Sequence, residues 1–307
     1  MGSFFEIEIR TERDEVEAAR QWLDWARDEI PRLEALYSRH DSGSAVARLN
    51  RALSREDVLT KSLDLHPELE AILLLATHIG TESGGAFDVT IGPLVEVWTE
   101  AVATGIWPPP NRLQRASAQS GSEALRLLGD GRLETRIRGL RIDLDGLSKG
   151  HVLDRLAESF RRELPNAVAL LNFGESSVLA IGDPDGAGWR LALRSRLASG
   201  RGQVVLRLRD QALSVSSSLG VTSEIAGERL SHVIDPRTGM TVEHGAEAFV
   251  IANRAGVADG WSTALLVLGA NPRALQLVEE AGLEADLVEG NGQKISTQGW
   301  QEFVIRP

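Results

Sequence analysis

Five short segments gather glycines, acids and hydroxyls where the hydrophobic pattern of the chain breaks. The first is Gly84-Gly85-Ala86-Phe87-Asp88-Val89-Thr90-Ile91-Gly92-Pro93-Leu94. Two glycines allow backbone to approach a ligand closely, an aromatic could stack on a ring, and an acid could accept from a ring or ribose donor. The same letters also suit a helix C-cap and a turn with Phe87 in the core. The second is Asp143-Leu144-Asp145-Gly146-Leu147-Ser148-Lys149-Gly150-His151. At a strand-to-helix junction its N–H groups and lysine could hold phosphate. The Walker spacing is absent, and a plain acidic cap is the alternative. The third, Asn172-Phe173-Gly174-Glu175-Ser176-Ser177, reads as a tight polar turn.

The fourth, Ser231-His232-Val233-Ile234-Asp235-Pro236-Arg237-Thr238-Gly239, holds a histidine able to act as acid or base near neutral pH. Asp235 could orient its neighbours. Proline and glycine also make the segment an ordinary turn. The fifth is Ala258-Asp259-Gly260-Trp261-Ser262-Thr263-Ala264. Asp259 and Thr263, four apart, share one helix face. A carboxylate and a hydroxyl are hard oxygen donors suited to magnesium, with waters and phosphate oxygens completing the shell. An acid offsetting the helix dipole is the alternative reading.

The elements that must position these segments read as mixed α and β. Strands are expected at 4–10, 167–173, 177–181, 188–195, 203–209 and 246–252, with a strand pair over 134–145 turning at Gly139. The apolar spacing of Val16, Leu23, Ala26, Ile30, Leu33 and Leu36 predicts a long helix over 13–37, kinked or divided by Pro31. Further helices are expected at 67–83, 149–164, 257–268 and 272–281, one more ending near Asn50, and another after Trp107-Pro108-Pro109-Pro110. Strands and helices alternate without strict βαβ repetition, which favours α+β over a doubly wound sheet. With no repeat or low-complexity linker, residues 1–307 read as one compact domain.

Composition narrows the function classes. The 307 residues are 42% hydrophobic and 25% charged, which is ordinary for a globular protein. A net charge of −11 disfavours nonspecific binding to nucleic acid or anionic lipid. The absence of cysteine excludes disulfides, thiolate metal sites and a cysteine nucleophile. No apolar run approaches the roughly 18 residues of a membrane span. The amino terminus alternates like a strand and lacks a signal pattern. As written, the chain is expected to be cytoplasmic and not inserted in membrane; export would require a leader no longer attached.

Taken together and in order, the five segments resemble the ApbE family of FAD:protein FMN transferases. The family pattern includes a Met-Gly-Thr start, a serine-rich loop leading to Leu-Asn, Gly-Gly-x-Phe-Asp with Gly-Pro-Leu, and Asp-Leu-Gly-Gly-Ile-Ala-Lys-Gly. It continues with Asn-x-Gly-Gly-Asp, Ala-Thr-Ser-Gly, His-Ile-Ile-Asp-Pro-Arg-Thr-Gly and Ala-Asp-Ala-x-x-Thr-Ala. The matches here are Met1-Gly2-Ser3, Ser38 to Asn50, Gly84 to Leu94, Asp143 to Gly150, Asn172 to Ser176, His232 to Gly239 and Ala258 to Ala264. Three departures stand out. His40 occupies the position of a tyrosine near the flavin, Glu175 replaces the second glycine of the Asn-x-Gly-Gly turn, and Ser214-Val215-Ser216-Ser217-Ser218 replaces Ala-Val-Ala-Thr-Ser-Gly.

The resemblance implies an ApbE-like fold and Mg²⁺-dependent transfer of FMN from FAD to a threonine of an acceptor flavoprotein subunit, releasing AMP. FAD hydrolysis to FMN and AMP, and FAD carriage without catalysis, are the alternatives. By the same resemblance Asp259, Thr263 and the carbonyl of Ser148 are the expected magnesium ligands. Met1, His40, Ala86, Phe87, Asp88, Asp145, Lys149 and His232 are the expected flavin-nucleotide contacts. His232, assisted by Asp235, is the acid–base candidate.

Overall fold

The computed structural model describes residues 4–174, 176–193, 195, 197, 204–219, 222–243 and 245–305. In chain order they form β1 (Phe5–Arg10), α1 (Val16–Tyr37), α2 (Ala45–Leu53), β2 (Leu63–Asp64), α3 (Pro67–Glu82), α4 (Gly92–Thr104), α5 (Pro110–Ser117), β3 (Leu125–Leu127), β4 (Arg132–Thr135) and α6 (Ser148–Glu163). The second half adds β5 (Val168–Phe173), β6 (Ser177–Ile181), β7 (Trp189–Leu193), β8 (Val204–Leu208), β9 (Ala212–Ser217), β10 (Thr222–Ile225), β11 (Glu228–Ser231) and β12 (Ala246–Ala252). It closes with α7 (Ala255–Leu268), α8 (Pro272–Glu280), β13 (Glu284–Glu289), β14 (Lys294–Ser296), α9 (Trp300–Phe303) and β15 (Val304–Ile305).

Seven strands make the central sheet in the order β1-β5-β6-β9-β12-β13-β14. Every neighbouring pair is antiparallel. β12 is buried along its whole length, because both faces of the sheet are covered there. Ala246, Ala248, Val250 and Ala252 alternate onto the face packed by helices, and Phe249 and Ile251 onto the other. That second face meets Trp189, Leu206, Leu208 and Trp300, supplied by the small sheet β15-β8-β7 and by α9. The small residues of β12 leave room for α7, which is itself almost wholly buried between the sheet, α6 and α3. A separate apolar cluster joins α4, α5, the β10–β11 hairpin and Ile234. The α+β expectation of one compact unit therefore holds.

Several local expectations are corrected. Pro31 neither divides nor ends α1, which runs unbroken through it. Pro31 lies on the solvent face, where water can serve the carbonyl left without a helical donor. The buried stripe of α1 is Ala19, Trp22, Ala26, Leu33 and Tyr37, with Trp22 edge-on to Phe160 of α6 at 5.0 Å. Val16 and Leu23 face outward. The strand pair expected over 134–145 is only the end of β4 and one bridge, Arg141 to Ile91.

Candidate functional site

The centre of the site is the carboxylate of Asp259, on the second turn of α7. β9 alternates Ser214 and Ser216 toward that helix, and register places Ser177 of β6 opposite Ser214. Asp259 Oδ1 accepts from Ser214 Oγ at 3.2 Å and from Ser177 Oγ at 3.4 Å. Its Oδ2 accepts from the Gly150 N–H at 2.9 Å, at the start of α6. Only glycine permits that approach: a Cβ on residue 150 would lie 2.2 Å from the Ala255 carbonyl oxygen and 2.7 Å from Asp259 Cβ. One turn along α7, the Thr263 hydroxyl lies 3.4 Å from both the Asp259 carbonyl oxygen and Ser216 Oγ. Ser216 and Ser262 hydroxyls meet at 2.7 Å. Two hydroxyls thus reach the carboxylate itself, and those of Ser216, Ser262 and Thr263 adjoin them along α7.

Burial raises the Asp259 pKa above the usual carboxylate range, and the ammonium of Lys149 is the largest opposing influence. No ion pair to Asp259 exists within 4 Å among the described residues. Lys149, one residue after the buried Ser148, donates instead to Ser176 Oγ. Ser148, Lys149, Asp259 and Thr263 are therefore brought together by the α6–α7 contact.

The flavin-contact candidates distribute around this centre. Ala86 and Phe87 are buried. Phe87 and Thr263 converge on Gly146, where an added Cβ would sit 3.4 Å from Phe87 Cε2 and 3.3 Å from Thr263 Oγ1. Asp88 is engaged by its own turn and by a distant loop: Oδ1 accepts from the Thr90 N–H and hydroxyl at 2.7 Å each, and Oδ2 from the Ser122 N–H at 3.0 Å. Asp145 is exposed beside Arg39, whose Nε reaches Asp145 Oδ2 at 3.2 Å and Asp143 Oδ2 at 3.1 Å. Burial, and then the neighbouring Asp145, raise the Asp143 pKa. His40, the next residue after Arg39, is exposed at the same rim, its N–H donating to Ser38 Oγ at 3.2 Å. Met1 and Glu175 lie outside the described residues.

His232 is exposed where the chain leaves β11. Asp235 accepts from Arg237 Nε and Nη2, each at 2.9 Å, rather than standing open. Its turn is closed by the Gly239 N–H to the Asp235 carbonyl at 2.8 Å, and Trp98 Nε1 donates to the Gly239 carbonyl at 2.9 Å. Arg237 Cγ lies 3.7 Å from where a Cβ on Gly85 would be, so the histidine loop docks on the double-glycine corner. Sequence reasoning did not pick out Arg39, Ser177, Ser216 or Ser262. The serines on β9 had an available signal, the alternation of Ser214 and Ser216 in a strand; Arg39 had none, because its partners lie about a hundred positions away.

Comparison with known proteins identifies the family. The model of the ApbE family matches residues 1–287. A Klebsiella pneumoniae protein named FAD:protein FMN transferase is 30% identical over 308 residues, covering 97% of this chain and 84% of its own. The Escherichia coli K12 protein of the same name is 30% identical, over 86% of this chain and 75% of its own. The ApbE protein of Thermotoga maritima superposes with a TM-score of 0.84 at 22% identity, covering 99% of this chain and 97% of that one. The flavin transferase ApbE of Vibrio cholerae gives 0.82 at 21%, covering 99% and 96%. The chain belongs to the ApbE family.

Proposed function

We propose that this protein is a transferase that moves FMN from FAD to a threonine hydroxyl of an acceptor protein, releasing AMP, with Mg²⁺ bound at Asp259. The observation that carries the reading is the buried Asp259 carboxylate, held by two serine hydroxyls and one N–H and set near Lys149, in a chain whose relatives are named FAD:protein FMN transferases.

The residues fit a hard cation. A carboxylate has about four acceptor positions, and three of those on Asp259 are used by protein donors. A buried carboxylate whose charged form is disfavoured gains from a cation beside it. Among the described residues no three His, Asp or Glu side chains cluster, so magnesium here would be held by one carboxylate, neutral oxygens and substrate phosphates. Asp259, the Thr263 hydroxyl and the Ser148 carbonyl are the proposed ligands. Bound there, Mg²⁺ would neutralise phosphate charge.

The chain's own groups supply the rest. Lys149 at the start of α6 attracts the pyrophosphate. Phe87, Asp145 and His40 border the space for the nucleotide. The acceptor oxygen forms a bond to the FMN phosphorus as the bond to the AMP phosphate breaks. His232 takes the hydroxyl proton, and Asp235, fixed by Arg237, holds the turn that carries it. Chromatography of FAD incubated with Mg²⁺, with and without acceptor, tests this. AMP formed in step with flavinylated acceptor is expected. Free FMN without acceptor adduct would make water the nucleophile, and unchanged FAD would refute catalysis.

A further inference from the structure

The chain carries a net charge of −11, yet four arginines line a single cleft of about 480 Å³. Arg112 and Arg115, three apart on α5, share a helix face. Arg138 and Arg141 flank Gly139 on the segment opposite. That segment is pinned at both ends: Gly139 N–H donates to the Leu53 carbonyl at 2.9 Å, and the Arg141 carbonyl accepts from Gly92 N–H at 3.1 Å. Gly92 leaves no room for a side chain, a Cβ there lying 2.6 Å from the Arg141 carbonyl oxygen, and Gly139 holds a φ of +90° that favours glycine. The guanidiniums are therefore mounted on fixed backbone.

Two of the four are compensated. Arg112 forms a two-bond pair with Glu100 at 2.7 Å, and Arg141 pairs with Glu96 at 2.9 Å. Arg115 and Arg138 have no acidic partner within 4 Å among the described residues; Arg115 gives only its Nε to the Asn111 carbonyl, at 3.2 Å. The cleft thus holds two uncompensated positive charges, with forked donors suited to planar or tetrahedral oxyanions. Its volume is that of a small-molecule site. It is not the Asp259 centre. The parallel bridge between Ile91 and Arg141, and the Asp143 N–H to the Val89 carbonyl at 2.7 Å, form a shared wall that leads from it toward Asp143 and Asp145.

We propose that this cleft binds a compact oxyanion carrying two or more negative charges, of the pyrophosphate or polycarboxylate kind. The test is calorimetric titration of the full chain with pyrophosphate and, separately, with citrate, in the parent and in the double variant Arg115→Gln, Arg138→Gln. Saturable one-to-one binding of at least one anion is expected in the parent. The double variant should bind about a hundredfold more weakly, from about tenfold for each guanidinium–oxyanion pair removed. Binding of pyrophosphate alone identifies a phosphate ligand, and binding of citrate alone a carboxylate ligand. The urea midpoint, expected to be unchanged, reports that the variant folds; the Arg115→Lys, Arg138→Lys pair, which keeps the charge but loses the fork, is expected to bind with intermediate affinity. Absence of saturable binding, or equal affinity in parent and Gln variant, would overturn the proposal, since in the latter case the anion sits elsewhere.

Discussion

Replacing Asp259 by asparagine separates its chemical role from its structural one. The amide can keep its oxygen toward the Gly150 N–H and turn its NH₂ toward Ser177 and Ser214, whose hydroxyls accept as readily as they donate. All three hydrogen bonds survive with their polarity exchanged at the serines. The variant also removes a buried charge that burial already disfavours. Folding stability is therefore expected to stay within about 1 kcal/mol of the parent, the worth of one ordinary hydrogen bond. Turnover is a different matter. A metal ion at a developing phosphate charge supplies several kcal/mol to the barrier, and about 3 to 4 kcal/mol corresponds to a rate loss of about 10²–10³. The assay pairs urea unfolding with AMP release from FAD in Mg²⁺, and repeats FAD calorimetry with EDTA. An intact fold, a rate down by that factor, and FAD affinity no longer enhanced by Mg²⁺ are expected. Parent-level turnover in a folded variant would show that Asp259 holds no metal, and collapse of the fold would show that the charge itself is structural.

Other expectations follow from the same packing. His151, buried against Tyr37, has its pKa lowered to about 4, chiefly by burial, with Arg254 and Arg155 adding to it. The unfolded chain binds that proton from pH 6.5 downward and the folded chain does not. The stability present above pH 6.5 is thus lost as pH falls toward 4, by about 3 kcal/mol over the window. His151→Phe should flatten the urea-stability profile by that amount, and parallel profiles would remove the assignment. Gly150→Ala must drive α6 from the Ala255 carbonyl, so a loss of about 3 kcal/mol is expected from unfolding midpoints; an unchanged midpoint contradicts the close approach. His232→Ala should lower the rate at saturating FAD by about 10²–10⁴ with a smaller change in FAD affinity. Weakened affinity with an unchanged saturated rate would make His232 a binding residue and send the search for the base elsewhere.

Part of the candidate site was legible because the family resemblance named its residues, each local signal alone having had a plainer reading. Asp259 and Thr263 fall one helical turn apart, and Ser148-Lys149-Gly150 begins a helix. The central strand β12 was legible from its apolar run. What escaped depended on distant partners. β9 is rich in serine and has no apolar alternation on its site face, because that face serves Asp259 rather than the core. α4 begins at Gly92-Pro93 inside a segment whose glycines read as a loop, although its apolar content buries Leu94, Val97 and Trp98. The helix through Pro31 survived because its proline faces water, a fact set by packing on the opposite side. Likewise the Asp235 carboxylate could not be matched to Arg237 in preference to His232 from sequence, since both lie within three residues of it.

Transfer of FMN onto an acceptor hydroxyl can be read from the acceptor's intact mass. An acceptor domain bearing the target threonine is incubated with this protein, FAD and Mg²⁺, beside samples containing EDTA or a threonine-to-alanine acceptor. One added FMN is expected on the threonine acceptor with Mg²⁺ and none in either control. An acceptor whose mass stays unchanged while FAD is consumed to FMN and AMP, or an adduct that forms equally with EDTA, would contradict it.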